Sequence, residues 1–161
     1  MKHLALVLLM AAPLPAAAQI MDIPSETFVK TVASSNTFEI QSSELAQQKA
    51  TDPALKDFAA QMITDHQKAA EGLKAAAGDI PVPTELAPKH AGMVALLDGA
   101  EGAEFDMLYK DMQAGAHAEA VSLFQTFAQG GDDADLKAFA AETLPTLEQH
   151  KAHVAELVAK P

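Results

Sequence analysis

A chain of 161 residues, 49% hydrophobic and 5% aromatic, is the length of one domain, and it carries 22 acidic side chains against 11 basic ones, every one of them Lys. A net charge of −11 without a single Arg leaves no stripe to neutralise phosphates, which excludes nucleic-acid binding and electrostatic attachment to an anionic membrane. With no Cys there is no disulfide, no thiolate metal site and no cysteine nucleophile, so the apolar core alone must hold the fold.

The first 18 residues read as a secretory signal. Lys2 and His3 give a short positive start, Leu4 to Ala12 an apolar core, and Pro13, Pro15 and Ala16-Ala17-Ala18 a cleavage region. Cleavage after Ala18 leaves a domain over 19–161, periplasmic or secreted. No later apolar run approaches the ~20 residues of a bilayer span, so no transmembrane segment is expected after cleavage.

Four long segments then follow with helical periodicity, and almost nothing alternates as a strand does. The first, from about Ser25 to Ala50, repeats Phe28, Val32, Ser35, Glu39, Ser42 and Ala46 on one face. The second is capped by Asp52, has Pro53 at its first position and carries Leu55, Phe58, Met62, His66 and Leu73 toward Gly78. So short a link between the two requires an antiparallel hairpin.

Residues 78–102 form the one long connector, with Pro81, Pro83 and Pro88 and a short helix over about 89–97. A third long helix spans about 103–129, with Phe105, Leu108, Tyr109, Met112, Ala116 and Phe127 inward, and Gly130-Gly131 stops it. The fourth starts at Asp132 or Asp133, carries Leu136, Phe139, Leu147, His150, Val154 and Leu157, and has Pro145 inside it.

The pattern Asp52-x-x-Leu55-Lys56-x-Phe58-Ala59-Ala60 returns as Asp133-x-x-Leu136-Lys137-x-Phe139-Ala140-Ala141, so the two hairpins look like copies of one unit. The predicted fold is all-α: a ferritin-like four-helix bundle with one long crossover that holds a short helix.

Four segments carry a family resemblance: Phe38-Glu39-Ile40-x-Ser42-Ser43-x-Leu45-Ala46, Phe58-Ala59-x-x-Met62-Ile63-x-Asp65-His66, Phe105-Asp106-x-x-Tyr109 and Leu144-Pro145-x-Leu147-x-x-His150. In these the chain resembles exported, ferritin-like bacterial proteins catalogued as a domain of unknown function, many of them labelled outer-membrane proteins. The resemblance implies a helical bundle and periplasmic or surface residence, with no established reaction. A transmembrane barrel needs repeated alternating strands of ~10 residues, and the sequence has none.

Polar residues on inward faces are the candidates for chemistry. Glu39, His66 and His150 each lie on the apolar stripe of a different helix, and His117 lies at the stripe's edge on the remaining one. Counting from the turns, with the second and third long helices parallel, puts the four within ~7 Å along the axis. Such a set suits Zn, Fe, Mn or Cu, and Met62 and Met112 at similar depth would favour Cu(I).

The structural alternative is a set of satisfied buried groups: Glu39 accepting from His66 or His150, and His117 bonding a carbonyl that Pro145 leaves free. Ile63 and Leu147 stand three residues before His66 and His150, so the Glu-x-x-His pairs of di-iron bundles are missing. Asp106 reads as a helix cap or a partner of Tyr109, whose own place is the core, while His90 and His153 read as solvent-facing. No Ser/His/Asp order or phosphate-binding loop is present.

The expected function is a non-enzymatic, exported binding or stress-related module. An interaction protein with a purely structural polar cluster, or a metal-dependent redox enzyme, are the alternatives. No residue pattern identifies a protein partner.

Overall fold

The computed structural model describes residues 23–159. The expected signal segment lies outside them.

Five helices follow one another: α1 (Ser25–Lys49), α2 (Pro53–Ala76), α3 (Pro88–Gly99), α4 (Gly102–Gly130) and α5 (Ala134–Ala159). Among the described residues there is no strand. The four long helices close a square in which α1 packs on α2 and α4, and α5 packs on α2 and α4. Helices α2 and α4 are therefore diagonal and run the same way, and α3, in the crossover, lies on α1 and α4. This is the ferritin-like arrangement that the periodicity predicts.

Each helix end has a physical reason. Asp52 caps α2 by accepting from the Ala54 N–H at 2.9 Å, with Pro53 in the first turn where its missing N–H costs nothing. Gly78, at φ 54°, takes the left-handed conformation just past α2. At Gly131 a Cβ would lie 2.6 Å from the Phe127 ring, so only glycine lets α4 turn into α5 there.

The two hairpins are tied at both ends by carboxylates. Asp106 of α4 accepts from the backbone N–H of Thr51 at 2.9 Å, from that of Asp52 at 3.2 Å and from the Thr51 hydroxyl, all in the α1–α2 turn. At the opposite end Asp132, in the α4–α5 turn, accepts from the backbone N–H of Ser25 at 3.1 Å and from its hydroxyl. Asp106 thus caps the other hairpin rather than its own helix or Tyr109. The Tyr109 hydroxyl instead meets Ser43 Oγ at 2.8 Å.

The apolar interior comes in two blocks. One, toward the α1–α2 turn, holds Phe38, Leu55, Phe58, Met62, Leu97, Phe105, Tyr109 and Val154. The other, toward the α4–α5 turn, holds Phe28, Val32, Leu73, Phe124, Phe127, Leu136, Phe139 and Leu147. Between them, at the middle of the helices, lie buried polar residues from all four: Asn36, Glu39 and Ser42 of α1, His66 of α2, Gln113 and His117 of α4, and His150 of α5.

Candidate metal centre

The polar layer exists because each long helix breaks its apolar stripe near its midpoint, three times on α1 and once or twice on the others. His66, His117 and His150 are 5%, 0% and 1% exposed. Their ring centroids form a nearly equilateral triangle: 5.8 Å from His66 to His117, 5.6 Å from His66 to His150 and 5.4 Å from His117 to His150.

Every ring has one nitrogen held by an oxygen acceptor. His66 Nδ1 donates to Asn36 Oδ1 at 2.8 Å, His117 Nδ1 to the Gln113 carbonyl at 2.9 Å, and His150 Nε2 to Asp65 Oδ2 at 2.8 Å. These acceptors place the ring protons on the outer side. Asn36 is itself fixed, since its Nδ2 donates to the His66 carbonyl at 2.9 Å.

The opposite nitrogens, His66 Nε2, His117 Nε2 and His150 Nδ1, are buried and have no hydrogen-bond partner among the described residues. One ring nitrogen from each of the three lies within 4.8 Å of the others. Bonds of about 2.0–2.1 Å at tetrahedral angles put ligand nitrogens about 3.4 Å apart, so the rings would close by about 1 Å or somewhat more around an ion. Rotation about χ1 and χ2 supplies that movement. A buried acceptor left unpaired costs about 1–3 kcal/mol, so three together are a strong departure from ordinary core design.

Electrostatics agree with the donor geometry. Burial drives His66 well below the usual imidazole range, and its two imidazole neighbours push it the same way. Burial likewise brings His117 down to about 4, against the opposing hydrogen bond to Gln113. Both are neutral near pH 7, the form that binds metals.

Glu39 takes a different place from its three companions in the sequence reading. Its Oε1 is 3.9 Å from His117 Nδ1, the outer nitrogen, so the carboxyl stands behind His117 and not among the inner nitrogens. Burial raises it to about 8, only partly offset by Gln113 beside it, so it is mainly neutral near pH 7. It does not accept from His66 or His150. His117 bonds a carbonyl of its own helix rather than one left free by Pro145.

Three participants were not singled out from the sequence as ligand supports. Gln113 stands one turn before His117, Asn36 one turn before Glu39, and Asp65 directly before His66; a search for acceptors one turn from each inward His would have found the first. His90 is buried rather than solvent-facing, with Nδ1 2.7 Å from Ser34 Oγ and its ring stacked on Phe38. His153 packs edge-on against Phe58, outside the trio.

Fold and site together define a class: an all-helical bundle with three imidazoles converging in a buried layer at its waist, each oriented from behind by an oxygen. The chain belongs to the family described as Domain of unknown function (DUF4142), whose model matches residues 10–157. No curated protein sequence matches it. Among solved structures it is similar to CopM in the Cu(II)-bound form, at 18% identity and a TM-score of 0.71, covering 86% of this chain and 97% of that one. CopM in an Ag-bound form obtained by co-crystallization gives 17% identity and a TM-score of 0.67 over 84% and 95% of the two chains. A DUF305 fragment from Deinococcus radiodurans gives 13% and 0.72 over 91% and 100%. At these identities the likeness is one of fold.

Proposed function

We propose that this protein is an exported, non-enzymatic domain that binds one transition-metal ion through His66 Nε2, His117 Nε2 and His150 Nδ1, with copper the first choice. The observation that carries the reading is the convergence of three buried histidines from three helices, each with one unpartnered nitrogen and together offering one ring nitrogen apiece within 4.8 Å of the others. Imidazole suits copper and zinc above manganese or magnesium. Two of the solved structures sharing this fold are of CopM with Cu(II) or Ag bound, which favours copper over zinc. The oxygens behind each ring are the second layer that imidazole ligands require to keep their tautomer and aim.

Glu39 has the role of a neutral spacer behind His117, which departs from the four-ligand set of the sequence reading. Three nitrogens and no bridging carboxylate serve a single ion, and that ligand count supports binding over two-metal redox chemistry. Export rests on the signal-like start at residues 1–18, and no helix of the described residues is long and apolar enough to cross a membrane.

Titration of the purified chain with Cu(II), Cu(I) and Zn(II), followed by elemental analysis after desalting, tests this directly. One ion per chain is expected, lost in His66→Ala, His117→Ala and His150→Ala but kept in Glu39→Gln. Retention of stoichiometric metal by all three alanine variants, or by none of the proteins including wild type, rejects the site.

A further inference from the structure

The three inner nitrogens are buried, so an ion needs a route to them, and two neighbouring cavities reach the layer, with His66, Ala69, Thr143 and Leu147 in the walls of both. One, of about 180 Å³, is lined from all five helices and touches the trio only through His66; Val32, Leu123, Phe124 and Leu147 stand in its wall beside Glu119 and Ser35. The other, of about 240 Å³, lies in the groove between α2 and α5 and has both His66 and His150 in its wall. Asp65, Glu142, Thr143 and Thr146 supply oxygens along it, and Lys68 stands at its edge.

We propose that the α2–α5 groove is the port through which the ion reaches the imidazoles, with Asp65 a carboxylate in its wall that attracts the ion while holding the His150 ring from behind. This rests on the ion-binding reading above and adds a direction of approach.

A hydrated cation sheds its water gradually where oxygen donors replace it, and the groove is the more polar of the two openings and the one that touches two of the imidazoles. The groove offers two carboxylates and two threonine hydroxyls, and two of the three rings stand in its wall. Asp65 spans both environments: its side chain is 32% exposed, yet its Oδ2 is 2.8 Å from the Nε2 of His150, itself 1% exposed. One carboxylate therefore borders the groove and fixes one of the rings that would receive the ion. The groove charges are Asp65 and Glu142 against Lys68, which leaves an excess of one negative charge to attract a cation.

Stopped-flow uptake of Cu(II), added as the dilute chloride to the full chain, tests the port. Glu142→Gln, on an exposed side chain, should slow uptake roughly two- to threefold at low salt, with the difference shrinking as salt rises. Lys68→Gln should speed it by a similar factor. Thr146→Trp, which fills the groove, should slow it about tenfold or more while the end point stays at one ion per chain. Asp65→Asn keeps an acceptor for His150 and should slow uptake beyond Glu142→Gln with a smaller change in final affinity. Leu123→Trp, which fills the other cavity from the α4 side, should leave the rate unchanged. Equal rates in wild type, Glu142→Gln, Lys68→Gln and Thr146→Trp, or slowing confined to Leu123→Trp, overturn the port alone. A wild-type chain that takes up no ion overturns the ion-binding reading and the port with it.

Discussion

At the scale of single residues, the waist couples stability to pH in two opposed ways. Glu39 ionises near 4.5 when unfolded and at about 8 when folded, so its contribution is fully present below 4.5 and is lost as pH rises toward 8. His117, at 6.5 unfolded and about 4 folded, contributes stability above 6.5 that is lost as pH falls toward 4, and His66 acts in the same sense. Between pH 6.5 and 8 the glutamate slope acts alone among these three. The ion-free protein should lose stability across that window at up to about 1.4 kcal/mol per pH unit, and Glu39→Gln should flatten the loss. Melting curves at pH 6.5, 7.2 and 8 check this; the same slope in both proteins would show that the carboxyl is not trapped as described. The acceptors behind the rings are a second test. Asn36→Ala should weaken ion affinity about 10- to 100-fold by freeing the His66 ring, read by competition with a chromophoric chelator, and leave stoichiometry at one.

At the scale of elements, the carboxylate ties at the two bundle ends matter more than surface ion pairs such as Lys30–Glu26, both of whose side chains are more than half exposed. Asp106 satisfies three donors in the α1–α2 turn, and Asp106→Ala should cost about 2–3 kcal/mol, a drop of roughly 4–12 °C in Tm. Chemical denaturation of the ion-free chain measures it, and a change under 0.5 kcal/mol would mean that water replaces the carboxylate. Helix number, the capped start of α2, the hairpins and the short crossover helix were all legible in the sequence, because they depend on local periodicity and on Asp, Pro and Gly at defined positions. The partner of Asp106 was not, since the turn it caps is more than 50 residues away and no local rule reports such a contact. The three histidines could be placed at one height by counting turns. What counting could not supply was ring direction, which depends on Asn36, Gln113 and Asp65 and which puts Glu39 behind His117 instead of beside it. His90 was misread for the same reason: its burial comes from α3 folding onto α1, not from anything in the connector's composition.

At the scale of the whole molecule, an ion shared by α2, α4 and α5 would join both hairpins at their middle. Loading at 1,000 times Kd adds about 4 kcal/mol to stability, so Tm should rise by roughly 8–16 °C with Cu(II) and return on chelation. Calorimetry with and without the ion checks this, and an unchanged Tm in a chain shown to hold one ion would mean that unfolded chain binds it equally. The interior is divided into two apolar blocks by the polar waist. Each block can in principle open by itself, because the layer between them offers little hydrophobic adhesion and, without cargo, several unmet polar atoms. Amide hydrogen exchange should then show the two ends of each long helix exchanging on separate timescales in the empty protein and on a common, slower one once the waist is clamped, so that occupancy sets how cooperatively the bundle comes apart.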